Sequence, residues 1–131
     1  MGEIGIDPIF GVDTWSHGGR LVVMLVGDLD VHTAARLRAA LEGWPADARR
    51  RVAVELSRLD FLDSSGLGVL VGAMKHAKSQ GGGLCVVAPQ ERILKTLCLT
   101  GLIRVMPAFA GLRQAFVWLD AQRGQCQTTA K

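Results

Sequence analysis

The stretch "LDFLDSSGLGVLVGAMKHAK", residues 59–78, changes period at its centre. Up to Leu62 it belongs to an apolar strand pattern; from about residue 65 the apolar residues Leu67, Leu70, Val71 and Met74 recur at helical spacing. Lys75 and Lys78 near its end complement a helix dipole, and the glycines Gly81, Gly82 and Gly83 terminate it, so a helix is predicted over 65–79. A strand delivering its chain directly into a helix is the unit from which α/β domains are built.

The flanking sequence repeats that unit. Residues 9–16 form a first strand and "SHGG" a turn, followed by "RLVVMLVG", a near-continuous apolar run of the kind found in strands covered on both faces. "DLDVHTAARLRAALEGW" then turns helical. Ala35, Leu37, Ala40 and Leu41 lie on one side, Thr33 or Asp30 caps the start, and Pro45 ends it. "RVAVEL", residues 51–56, is a third strand, joined to the 65–79 helix by the link "SRLDFLDS". "LCVVA" is a fourth strand, and "PQERILKTLCLTG" a helix with Pro89 in its first turn. "LIRVMPAF" supplies a short last strand, and "AGLRQAFVWLDAQ" a closing helix with Leu112, Ala115, Phe116 and Leu119 inward. The expectation is one α/β domain over 9–122, a mixed and mostly parallel sheet of about five strands with about four helices. Residues 1–8 are an extension and 123–131 a polar tail.

Composition narrows the function. Fifteen Lys and Arg stand against 12 Asp and Glu, a formal charge of +3. The densest basic run, "ARRR" at 48–51, has no base-stacking aromatics interleaved, and the chain lacks Tyr, so no nucleic-acid partner is expected. Three cysteines without paired spacing fit neither a disulfide framework nor a zinc site. Cys85 and Cys98 read as buried thiols, whereas Cys126 sits in the polar tail; a redox role for any of them has no support in the spacing. The N-terminus lacks the features of a signal peptide and no apolar run approaches membrane-spanning length, so a cytoplasmic protein without stable membrane insertion is expected.

The polar residues at the strand–helix junction admit three readings. Catalysis by either serine fails the nucleophile-elbow pattern, which needs Gly two residues before and after the Ser; Leu62 and Asp63 hold the leading positions. His76 is about twelve residues along the same helix, roughly 18 Å away, and His17 lies in a turn; His32 alone stays open as a base. "GLGVLVGAMK" lacks the ending of a P-loop and the third glycine of a dinucleotide fingerprint, and Gly68 and Gly72 are read as sites of close helix packing on the sheet. No cofactor is implied. Capping by Asp63 or Ser64 is the second reading. The third is modification: a phosphate is tolerated at a helix N-terminus and would add about −1.5 to −2 charges beside Asp63. Gly66 would then leave backbone open to an approaching partner.

"FLDSSGLGVLVG", with the upstream "LVGDLDVHTAARL" and the downstream "LTGLIRVMPAF", resembles the bacterial anti-sigma factor antagonists, a family of STAS-domain (sulphate transporter and anti-sigma factor antagonist) proteins, over about residues 9–119. The resemblance implies a non-enzymatic module that binds an anti-sigma factor with Ser kinase activity and so releases a sigma factor. It implies phosphorylation at Ser64, the Ser immediately after the Asp, and a Ser/Thr phosphatase that reverses it. By the same carry-over Asp30 and Asp63 match acidic positions near the partner surface, Ser65 and Gly66 adjoin the acceptor, and Asp28 replaces the more usual Glu. The resemblance also admits a STAS interaction module of a transporter or scaffold, not regulated by phosphorylation. Oligomeric state is not fixed by either route.

Overall fold

A computed structural model of the chain describes residues 10–88 and 90–122. Within these residues five strands form one sheet in sequential order: β1 (Phe10–His17), β2 (Arg20–Leu29), β3 (Arg51–Leu62), β4 (Gly83–Val87) and β5 (Ala108–Phe109). β1 runs antiparallel to β2, and the other three pairings are parallel. Among the described residues four α-helices complete the fold: α1 (Ala34–Glu42), α2 (Ser64–Ser79), α3 (Glu91–Leu99) and α4 (Leu112–Ala121). The expected mixed, mostly parallel α/β architecture is the one observed.

The layers follow from side-chain alternation along the strands. Val23, Leu25, Val52, Val54, Leu84 and Val86 face the larger core, which they share with Leu37 and Leu41 of α1, Leu70 and Met74 of α2, and Ile93 and Leu97 of α3. On the other face Ala53, Cys85 and Val87 meet Ala115 and Leu119 of α4. Parallel strands need crossovers over their faces, and the helices cover both sides of β3 and β4, which explains the unbroken apolar runs of the central strands. The first hairpin turns at Gly18 and Gly19, both with positive φ, as the "SHGG" composition anticipates.

Several boundaries differ from expectation for identifiable reasons. The link 57–62 is strand: β3 continues alongside β2 through Arg58, Leu59, Phe61 and Leu62, with register irregularities between Met24 and Val26 and between Gly27 and Asp28. Gly27, at φ +96°, takes the left-handed conformation that such a bulge requires. The segment 102–109 opens with a 3₁₀ turn (Leu102–Arg104), and only Ala108 and Phe109 join the sheet. Ala35 is exposed and Ala34 takes the inward position in α1. In α2 the buried positions are Gly66, Val69, Leu70, Met74 and Ala77, with Leu67 and Val71 half-buried at the margin. His17 is the last residue of β1, stacked on Phe116 at 5.5 Å between ring centres, so it does not belong to the turn. Cys98 is exposed, against the expectation of a buried thiol, because it falls on the outer side of α3 while Ile93 and Leu97 face in. Pro89, Cys126 and the segments 1–8 and 123–131 lie outside the described residues.

Candidate functional site

The β3–α2 junction is anchored on β2. Leu62 pairs with Leu29, and one residue later the Asp63 N–H donates to the Leu29 carbonyl at 3.2 Å. Asp63 has extended backbone angles and is the N-cap of α2: its Oδ1 accepts from the Ser65 N–H at 2.9 Å and the Gly66 N–H at 3.1 Å. Of the two candidate caps it is therefore Asp63 that occupies the role. Ser64 is the first residue of the helix and is exposed; Ser65 is half-buried.

Gly66 does not expose backbone to a partner. It is buried, and a Cβ there would stand 2.5 Å from Leu29 Cγ and 3.1 Å from the Leu29 carbonyl oxygen. Its glycine is required for close approach of α2 to β2. Gly68 and Gly72, read from the sequence as the packing glycines, are exposed, with nothing within 4 Å of a Cβ built on either. They instead line a shallow groove between α1 and α2, bordered by Arg38, Glu42 and His76.

The same end of the sheet carries the β2–α1 loop. Asp30 Oδ1 accepts from the His32 N–H at 2.9 Å and the Thr33 N–H at 3.1 Å. The Thr33 hydroxyl donates to the Asp28 carbonyl at 2.7 Å and accepts from the Asp30 N–H at 2.9 Å. Thr33 stands at the N-cap position of α1 without a side-chain cap bond, so its hydroxyl serves the loop, which it and Asp30 hold together. Desolvation pushes the Asp30 carboxyl up, but the hydrogen bonds from Thr33 and His32 outweigh it and hold its pKa below the ordinary value. No hydrogen bond joins His32 to Ser64 among the described residues, and no group of three His, Cys, Asp or Glu there could hold a metal ion.

Two further residues complete this surface and were not singled out from the sequence. Val31, in the Asp30 loop, is 63% exposed, and Phe61, one position before Leu62, is 49% exposed. Alternation alone would not have found Phe61: with Leu59 inward a regular strand turns Phe61 inward too, and it is the irregular register of β3 on β2 that leaves Phe61 exposed between buried Leu59 and Leu62. The junction thus presents an exposed hydroxyl, Ser64, with acidic side chains at Asp63 and Asp30 and apolar ones at Val31 and Phe61.

Comparison with known proteins agrees in extent. The STAS-domain family model matches residues 12–115. The anti-sigma F factor antagonist of Paenibacillus polymyxa is 35% identical over 96 residues, covering 71% of this chain and 80% of that protein. The crystal structure of an anti-sigma factor antagonist from Mycobacterium paratuberculosis superposes with a TM-score of 0.77 at 28% identity, covering 86% of this chain and 95% of that one. The Bacillus cell fate determinant SpoIIAA, solved in phosphorylated form, shares the fold with a TM-score of 0.60 at 23% identity, covering 81% of this chain and 96% of its own.

Proposed function

The chain belongs to the STAS-domain family of anti-sigma factor antagonists, and from that premise we propose that it binds an anti-sigma factor with Ser kinase activity and is released from it by phosphorylation of Ser64. The observation that carries the reading is Ser64 itself, an exposed hydroxyl at the first position of α2, next to an aspartate whose carboxylate already occupies the helix N-terminus.

That arrangement favours an electrostatic switch. Asp63 takes the Ser65 and Gly66 N–H groups. A phosphate on Ser64 therefore gains little from the helix end and adds about −1.5 to −2 charges beside an existing carboxylate. The fold has no need to change, since the cap and the Leu29 anchor are independent of the Ser64 hydroxyl. A partner packed over Val31, Phe61 and Ser64 would have to bury that charge, which is prohibitive without a matching cation. Asp30 shapes the loop bearing Val31, and Asp63 and Ser65 form the rim of the contact.

ATP belongs to the partner kinase, and a Ser/Thr phosphatase regenerates the binding form. The antagonist itself performs no catalysis. The functional unit is the domain over 9–122, acting in the cytoplasm; none of its described helices is long and apolar enough to cross a membrane.

The test incubates the protein with its cognate kinase and ATP, maps the modified residue, and measures binding of Ser64→Ala and Ser64→Asp. Modification confined to Ser64, retained binding by the alanine variant and weakened binding by the aspartate variant are expected. An unmodified Ser64 together with equal binding by both variants would overturn the switch and favour the STAS module of a transporter or scaffold.

A further inference from the structure

The two edges of the sheet are unlike. β5 is two residues long, a common way of blunting an edge. β1 spans eight residues, "FGVDTWSH", with no Pro and no Lys, and no strand pairs with its outer side among the described residues. Its pairing with β2 runs unbroken from Phe10↔Gly27 to His17↔Arg20, so no bulge twists this edge away. Trp15, at 37% exposure, is a large apolar side chain on that edge.

We propose that β1 pairs with β1 of a second copy, joining two five-stranded sheets into one across a two-fold axis at Trp15. The side chains favour one register. Phe10, Val12 and Thr14 face the α1 side, where Trp44 Nε1 donates to Thr14 Oγ1 at 2.9 Å. Asp13, Trp15 and His17 face the α4 side, where His17 stacks on Phe116. An antiparallel pairing that keeps both α4 helices on one side must place odd-numbered residues opposite odd-numbered ones. Centring on Asp13 would oppose two carboxylates, which is destabilising. Centring on Trp15 stacks Trp15 against the partner's Trp15 and sets Asp13 opposite the partner's His17, with the reciprocal pair on the other side. A strand whose Asp13 can accept a hydrogen bond from the partner's His17 ring, on either side of one central aromatic, matches the isologous contact that a two-fold dimer requires.

The pairing leaves the proposed switch surface free. Trp15 and His17 pair with Val22 and Arg20 at the start of β2, whereas Ser64 follows the end of β3, which runs parallel to β2. Because the two β1 strands are antiparallel, the two Ser64 sites point to opposite ends of the dimer, giving a bivalent antagonist. The inference does not depend on the proposed function, and either can fail alone.

Sedimentation equilibrium of the full chain under reducing conditions, up to about 100 μM, tests it. The expected mass is twice the 14.0 kDa of the chain. Trp15→Glu, which opposes two carboxylates at the axis, should raise the dimer dissociation constant about tenfold or more. Asp13→Lys should weaken the dimer, and Asp13→Lys combined with His17→Glu should restore it, with thermal melts confirming that each variant is folded. A monomer at every concentration, a dimer indifferent to Trp15→Glu, or a charge swap that fails to restore association would each overturn the proposal.

Discussion

Gly66 sits on Leu29 so closely that a methyl group between them would lie 2.5 Å from Leu29 Cγ. This contact, with the Asp63 N–H to Leu29 carbonyl bond, seats the N-terminus of α2 on the end of β2. It also fixes which side of α2 faces solvent, and hence where Ser64 stands.

Replacing Gly66 by Ala is expected to destabilise the protein by about 1–2 kcal/mol. The overpacking cost against a buried Leu29 and its carbonyl exceeds the gain in helix propensity. Gly68→Ala and Gly72→Ala meet open space on an exposed helix face, so each should stabilise by about 0.5–1 kcal/mol. Urea unfolding of the three variants measures this; equal effects at Gly66 and Gly68 would contradict the packing described.

Asp63 combines a cap with a place beside Ser64, the proposed phosphorylation site. Asp63→Ala should cost about 1 kcal/mol by leaving the Ser65 and Gly66 N–H groups unpaired, while Asp63→Asn should cost less because its amide oxygen still accepts. The asparagine variant also removes the charge next to Ser64. Comparing its affinity for the anti-sigma factor before and after phosphorylation separates the contribution of the phosphate from that of the carboxylate: a smaller loss of affinity than in the wild type is expected.

How much of this could be read from residues 59–78 depends on helix phase. The strand-to-helix change was visible, and so was a cap at the helix start, with Asp63 among the candidates. Which glycine packs was not, because the three candidates Gly66, Gly68 and Gly72 are separated by rotations fixed only by contact with Leu29. One residue of phase is about 100°, enough to exchange a buried position for an exposed one. The same holds for Cys98, one position after the buried Leu97. The extension of β3 through Leu62 was hidden for another reason. Bulges in its pairing with β2 break the simple alternation, so buried Leu59 and Leu62 fall three apart where an unbroken strand would place them two apart.

The Asp30 loop should make stability fall in acid. Its carboxyl has a depressed pKa in the folded protein, so ionised Asp30 stabilises the fold at pH values above the unfolded pKa, near 3.9. That contribution is lost as pH falls through the folded value, when the carboxylate takes up its proton. Unfolding free energies of the wild type and Asp30→Ala, measured from pH 7 downward, should therefore converge in acid. A gap that stays constant with pH would show that the ionised carboxylate contributes nothing.

The thiols should separate by burial. Cys85 lies in β4 beneath α4, and desolvation pushes its pKa up to about 12, whereas Cys98 is exposed on α3. In a Cys126→Ser background at pH 8, Cys98 should react promptly with a maleimide, and Cys85 only as fast as the protein unfolds. The same burial sets a limit in alkali. In the unfolded chain the thiol ionises near pH 8.5, but in the folded chain it stays protonated up to about 12, so the unfolded state binds fewer protons across that interval. Stability is accordingly at its full value below pH 8.5 and falls progressively toward pH 12. Cys85→Ala removes this slope at the cost of a small cavity between Ala53, Ala115 and Leu119. Stability of the wild type should thus decline more steeply than that of Cys85→Ala between pH 9 and 11, measured by urea unfolding; parallel declines would show that the thiol ionises equally in both states.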